Sequence, residues 1–433
     1  MDGSIFLTGA TGFLGSRVLT RLSRNPQRTV ICLIRGTPPQ GQPPNVRFVR
    51  GDLLDPAVYA QALAGCGTVL HLAAATGKNA PAEYMRVNRD GTKALLEAAG
   101  RAGVERFLFV STIAVKFPDK SHYYYAQSKQ LAEEAITQSQ LQWIVVRPTM
   151  IFGSGSPVLQ GLTRLATLLF VPVFGDGRTL VQPIFVDDLA DCLTGMCDTR
   201  DLDRHTIEIG GPEVLSIENL LMRMRPGAAP ILHLPAQPIS ASLGFLETFL
   251  GPLLPVTAGQ LCSFTNDGTV AANPWVRDRQ TRMKDIDEML RLSQTDQIER
   301  ECRTYSRCLI GQDPTGYVIQ KYRNFHRQLE NDLALDRFDR FLIAASARSP
   351  FWARLADSYA SLLRKNSGVR KKLVLTLALL ECTPPSSEAL DRVPGGGPLG
   401  AALRLGLGAM QYALTLLLAA IIFTPARLWM SER

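Results

Sequence analysis

Tyr125 and Lys129 stand four residues apart in Tyr-Ala-Gln-Ser-Lys, a spacing that brings a phenol and an ammonium onto one face of a helix. An ammonium beside a phenol lowers its pKa, so the pair could move a proton to or from a substrate oxygen near neutral pH. By itself a Tyr-x-x-x-Lys arises often by chance. Ser111-Thr112, closing an apolar run just upstream, supplies hydroxyls that could orient the same oxygen. A second chemistry lies at the start of the chain, where Gly9-x-x-Gly12-x-x-Gly15 follows the apolar run Ser-Ile-Phe-Leu-Thr. In such a turn the first glycine permits the tight bend, the second lets backbone approach a pyrophosphate, and the third allows close helix packing. The helix start then offers N–H groups and partial positive charge to an anion.

Which dinucleotide this turn would hold depends on the end of the next strand. Residues 29–44 carry no Asp or Glu to take ribose hydroxyls, and Arg35 stands there instead. A guanidinium can fork onto a 2′-phosphate, which favours NADP(H) over NAD(H), although Arg35 also reads as a solvated loop residue. Asp52, after the third apolar run, could accept from an adenine amino group or serve as a turn residue.

The elements that must position these groups alternate. Apolar runs at 4–8, 30–34, 46–49, 69–73, 107–111 and 143–147 read as strands, and helical spacing at 13–24, 56–64, 84–102 and 125–137 separates them. That alternation predicts an α/β fold with a Rossmann-type doubly wound parallel sheet, whose ligands lie at the carboxyl ends of the strands. The expected organisation is a dinucleotide-binding domain over 1–150 with parts of 178–215, then a smaller, Pro/Gly-punctuated substrate lobe over 151–270. A charged helical extension follows over 271–382, then a flexible Pro/Ser/Gly linker over 383–404. The eight cysteines form no C-x-x-C pair and predict reduced thiols, mostly in the core, with no metal site.

The chain of 433 residues carries a net charge of +8, and the excess lies beyond residue 270. Five positive charges and no negative one fall within 364–372. Leu405–Ala426 runs without a charge and as a helix would span roughly 33 Å, enough for a bilayer core of about 30 Å. These features predict a C-terminal transmembrane helix beside a basic patch on anionic lipid, while a buried helix is the competing reading of 405–426. The basic run lacks interleaved aromatics, so nucleic acid is not expected as a partner. A homodimer is compatible with this organisation. No basic-then-apolar leader precedes the first strand, so the catalytic part is expected on the cytosolic face of a membrane.

Taken together, Thr8-Gly-Ala-Thr-Gly-Phe-Leu-Gly15, His71-Leu-Ala-Ala74, Asn88-Arg-Asp-Gly-Thr92, Ser111-Thr112, Tyr125-x-x-x-Lys129 and Arg147-Pro148 resemble the extended short-chain dehydrogenase/reductase superfamily. Gln182-Pro-Ile-Phe-Val-Asp-Asp188 and Ile209-Gly-Gly-Pro212 carry the likeness to about residue 270. The resemblance implies Tyr125 as acid/base, Lys129 as the residue that lowers its pKa and holds the ribose, Thr112 ahead of Ser111 on the substrate oxygen, and Asn88 organising the local network. It implies cofactor contacts at Gly9, Ala10, Thr11, Gly12, Phe13, Leu14, Gly15, Arg35, Asp52, Leu53, Ala73, Lys129 and Pro148. Where many extended members have Val-Tyr-Gly, this chain has Val115-Lys116-Phe117, and the loop before Tyr125 is short. Both departures, with the apolar stretch 232–261, look like the branch of the complex I NADPH-binding subunit; the 3β-hydroxysteroid dehydrogenase branch is also similar. The expectation is an NADP(H)-dependent oxidoreductase acting on a carbonyl or secondary alcohol of a lipid-like substrate. A nucleotide-sugar epimerase or dehydratase and a non-catalytic NADP(H)-binding accessory protein are the alternatives.

Overall fold

In the computed structural model the chain divides after Ser293 into two units. The structure describes residues 3–294 apart from 40, 42, 167–169, 226–229, 236–257 and 272, and beyond them only scattered positions.

The first unit is built on a seven-stranded sheet. Its strands are β1 Ser4–Thr8, β2 Val30–Ile34, β3 Val46–Arg50, β4 Cys66–His71, β5 Arg106–Val110 and β6 Gln142–Pro148, with a later strand at His205–Ile209. Their order is β3-β2-β1-β4-β5-β6 and then His205–Ile209, and every pairing is parallel. The chain reverses its direction of winding between β1 and β4, and the carboxyl ends on either side of that point frame a ligand crevice. Strands buried on both faces read as continuous apolar runs, which explains Phe-Leu-Phe-Val in β5, where all five residues are buried. Its first residue is the exception that needs a partner: buried Arg106 gives its guanidinium to Asp203 at 2.7 Å and to the carbonyls of Cys197 and Thr199 at 2.7 and 2.6 Å.

The helices are α1 Phe13–Leu22, α2 Pro56–Leu63, α3 Pro81–Tyr84, α4 Gly91–Arg101, α5 Tyr124–Thr137, α6 Pro157–Ala166, α7 Val186–Asp198, α8 Ile217–Arg223, α9 Ala258–Thr265 and α10 Pro274–Gln280. Alternate residues of β1 feed different layers. Ile5 and Leu7 pack with Val18 and Leu22 of α1 and Leu189 and Leu193 of α7. Phe6 packs on the other face with Tyr59 of α2, Leu95 of α4 and Ala132 of α5. The sequence predicts one helix over 84–102; in the structure a π turn at Met85–Asp90 joins α3 to α4, and Asn88 sits in that turn. Such turns insert a residue into the ladder and re-aim side chains, often at functional sites.

The region 151–270 uses shorter pieces, including the strands Ile151–Phe152, Val171–Phe174, Leu180–Val181, Ile184–Phe185, Leu215–Ser216 and Ile231–Leu234. They surround a third core of Phe152, Leu162, Val173, Ile217, Leu220 and Leu261. Residues 274–293 complete the first unit: Val276, Ile286 and Met289 are buried, and Lys284 pairs with buried Asp188 at 2.9 Å. Apart from Thr424, Leu405–Ala426 lies outside the described residues, as does 364–372. Among the described residues no helix is long and apolar enough to cross a membrane.

Candidate active site at the dinucleotide crevice

The glycine turn joins β1 to α1 with a geometry that only glycine allows. Gly9 has φ +75°, and a Cβ there would sit 2.7 Å from the Ala73 nitrogen. A Cβ on Gly15 would lie 1.9 Å from the Gly9 carbonyl oxygen. Ala10 is buried, whereas Thr11 and Gly12 are exposed at the bend and Phe13 and Leu14 are half-buried. No side chain caps the start of α1, and its first turn carries no acid. Backbone N–H groups at that end are therefore open to an anion with no carboxylate in the same turn, which fits a dinucleotide pyrophosphate.

Arg35 is exposed just beyond β2, and Asp52 is exposed after β3 with its carboxylate accepting from the Leu54 N–H at 2.9 Å. Leu53 is buried under Gly91, where a Cβ would meet it at 2.7 Å. Its carbonyl accepts from the Tyr59 hydroxyl at 2.8 Å. Ala73 follows β4, with its N–H donating to Thr8 Oγ1 at 3.1 Å. Pro148 is buried at the end of β6.

The catalytic candidates converge on α5. A buried run of hydrogen bonds leads to it: Thr8 Oγ1 lies 2.6 Å from His71 Nδ1, and His71 Nε2 lies 2.9 Å from Thr92 Oγ1. Thr92 donates to the Asn88 carbonyl at 2.6 Å, and Asn88 Nδ2 donates to Ser128 Oγ at 3.0 Å. Ser128 in turn donates to the Tyr125 carbonyl at 2.8 Å, while Asn88 Oδ1 takes the Ala75 N–H at 2.7 Å. Asn88 thus ties the loop after β4 to α5. Burial holds His71 neutral, pushing its pKa down to about 3 with help from the nearby Lys129 charge.

Lys129 is buried, with Nζ donating to the Val110 carbonyl at 2.7 Å and lying 4.3 Å over the Phe109 ring. Burial pulls its pKa down to about 7, and Glu133 opposes the shift. The expected lowering of the Tyr125 phenol is not what the structure shows. Burial pushes the phenol up, and the neighbouring Tyr123 and Tyr84 add to the shift. The rings of Tyr84 and Tyr123 stand 6.2 and 6.0 Å from that of Tyr125, and Lys129 is turned to a backbone carbonyl. Of the two hydroxyls after β5, Thr112 Oγ1 accepts from the Ala114 N–H at 3.3 Å and caps a short 3₁₀ turn. Ser111 Oγ is buried with no partner.

Sequence reasoning missed the wall beside Tyr125: Phe117 stacks on Tyr123, and Cys262 of α9 packs against the buried cluster of Ala114, Phe117 and Ala126. No spacing rule joins residue 262 to residue 123. It also left out Thr8, Thr92 and Ser128, although Ser128 sits inside the Tyr-x-x-x-Lys motif. Among the described residues no cluster of His, Cys, Asp and Glu could hold a metal, and six cysteines are free thiols.

A parallel sheet with this crossover, a glycine-lined helix start and a Tyr/Lys pair on α5 define a dinucleotide-binding domain of the extended short-chain dehydrogenase/reductase type. The chain belongs to the NAD dependent epimerase/dehydratase family, whose pattern matches residues 5–210. It is 34% identical over 199 residues to the ceramide reductase of Caulobacter vibrioides, covering 46% of this chain and 62% of that protein. It is 30% identical over 254 residues to the dTDP-glucose 4,6-dehydratase of Streptomyces antibioticus, covering 50% of this chain and 75% of that enzyme. The crystal structure of gox2253 shares the fold with a TM-score of 0.54 at 22% identity, over 68% of this chain and 97% of that one.

Proposed function

We propose that this chain is an NADP(H)-preferring oxidoreductase that reduces a carbonyl, or oxidises a secondary alcohol, of a lipid-like molecule at a membrane. The observation that carries the redox reading is that Tyr125 and Lys129 share one helix, with Lys129 Nζ donating to the carbonyl of Val110, the last residue of β5. When bound, the dinucleotide supplies or receives the hydride. Tyr125 gives a proton to the substrate oxygen in the reducing direction, Thr112 orients that oxygen, and Lys129 holds the ribose with the ammonium hydrogens left after Val110. Arg35, with no acid on the same strand end, supports the phosphorylated cofactor.

The lipid-like substrate is supported by the aromatic wall of Tyr84, Tyr123 and Phe117 and by the likeness to a ceramide reductase. Membrane attachment through 405–426 and the basic run 364–372, with the site on the cytosolic face, rests on sequence pattern. The test is purification in detergent, identification of co-purified dinucleotide, and NADPH oxidation against ketone lipids. Turnover that persists in Tyr125→Phe overturns the acid/base role. One observation favours a second reading: the match to a sugar-nucleotide dehydratase spans three-quarters of that enzyme. That reading requires tightly retained NAD and no net NADPH consumption.

A further inference from the structure

One turn beyond Lys129 on α5 lies Glu133, a buried carboxylate that no step above uses. Arg147 of β6 grips it with three contacts, Nε to Oε1 at 3.0 Å, Nε to Oε2 at 3.2 Å and Nη2 to Oε2 at 2.6 Å. The same guanidinium lies 3.6 Å from Glu208, whose other oxygen takes Lys116 at 2.9 Å. Lys116 is the residue that replaces the tyrosine of the Val-Tyr-Gly pattern. Four charges thus run inward from an exposed lysine to a carboxylate beside the buried ammonium.

We propose that Glu133 is a positioning residue for Lys129: clamped by Arg147, its carboxylate supplies the countercharge that keeps the buried ammonium protonated for the dinucleotide. The inference rests on the reading of Lys129 as the group that holds the ribose.

Among the described residues the surroundings leave Glu133 alone in that part. On the β5 side Lys129 meets the Val110 carbonyl and the Phe109 ring, neither charged. From β4 comes His71, kept neutral by burial, and from its own helix Tyr125, whose phenol is also kept protonated by burial. Arg147, from β6, is engaged with Glu133 and Glu208. An ammonium in such a place loses its proton readily, and a fixed neighbouring carboxylate is the ordinary remedy.

The signs of two substitutions separate this role from a merely structural one. Glu133→Gln removes the countercharge and leaves a freed guanidinium nearby, and both effects favour the neutral amine. Arg147→Gln leaves the carboxylate less compensated, which favours the ammonium. Full-length protein in detergent is titrated with NADH, which carries no 2′-phosphate of its own to titrate, between pH 5 and 10. In the wild type, affinity falls as pH rises through the Lys129 titration. Its midpoint should move down by roughly one pH unit in Glu133→Gln and up in Arg147→Gln, and stay in place in Glu133→Asp. Shifts of the same sign, or no shift, overturn the proposal. If Arg147→Gln does not fold, Glu133→Gln and Glu133→Asp decide alone: an unmoved midpoint in the first refutes it, and a downward shift rescued by the second supports it. Absence of NADH and NADPH binding at every pH removes the cofactor reading itself, and this inference with it.

Discussion

The two ends of the crevice are held by different forces. On the cofactor side, position is fixed by backbone and by buried hydrogen bonds: Gly9 and Gly15 admit no Cβ, and the run from Thr8 through His71, Thr92, Asn88 and Ser128 reaches Tyr125 without a charged member. On the side of the proposed substrate lobe, strands of two to four residues and short helices enclose an apolar core, and aromatic rings stand beside Tyr125. The first arrangement dictates one ligand shape closely. The second sets a hydrophobic environment and leaves shape to loops, which is how one fold serves many substrates.

The contrast is broken most directly at the residue where the two sides meet. Tyr125→Phe removes the proton donor and leaves the ring that packs against Tyr84 and Tyr123. Turnover should fall by roughly 10²–10⁴-fold with NADPH affinity unchanged, as measured by single-turnover kinetics beside fluorescence titration. Equal losses in both would mean that the phenol belongs to the cofactor side.

On the substrate side the expectation is reversed. Leu220 of α8 is fully buried in the third core, so Leu220→Ala should cost about 2–5 kcal/mol of stability in denaturant unfolding. NADPH affinity of the folded fraction should stay at the wild-type value. A matching loss of affinity would show that the lobe core shapes the dinucleotide site after all.

Arg35→Ala probes the cofactor side alone. A charge-assisted contact to a 2′-phosphate contributes about 1.5–3 kcal/mol, so the preference for NADPH over NADH should drop roughly ten- to a hundredfold. An unchanged ratio removes Arg35 from the site.

The same division explains what the amino-acid sequence made legible. Continuous apolar runs and the glycine turn place the six strands and α1 to within a residue or two, apart from β4, which begins at Cys66 rather than near Val69. That offset arises because Cys66-Gly67-Thr68 lacks the apolar signal while still pairing with Ser4 and Ile5. The Tyr/Lys spacing put both groups on α5 correctly. What periodicity could not carry was the direction of the phenol's shift, which depends on Tyr84 and Tyr123 closing over it and on a carbonyl taking the lysine. The π turn under Asn88 was hidden for a similar reason: residues 84–102 keep an adequate helical pattern through the irregularity.

The smallest effect concerns the hydroxyls at the end of β5, where the two sides touch through adjacent residues. Thr112 Oγ1 accepts the Ala114 N–H and so caps the 3₁₀ turn just beyond the carboxyl end of β5. Thr112→Ala should lower stability by about 0.5–2 kcal/mol and also slow turnover, while Thr112→Ser restores both. Ser111 Oγ, buried without a partner, costs desolvation and returns no hydrogen bond. Ser111→Ala should leave turnover intact and stability unchanged or slightly higher in a thermal melt. A slow, destabilised Ser111→Ala beside a near-normal Thr112→Ala would exchange the two roles and move the substrate oxygen one residue closer to the sheet.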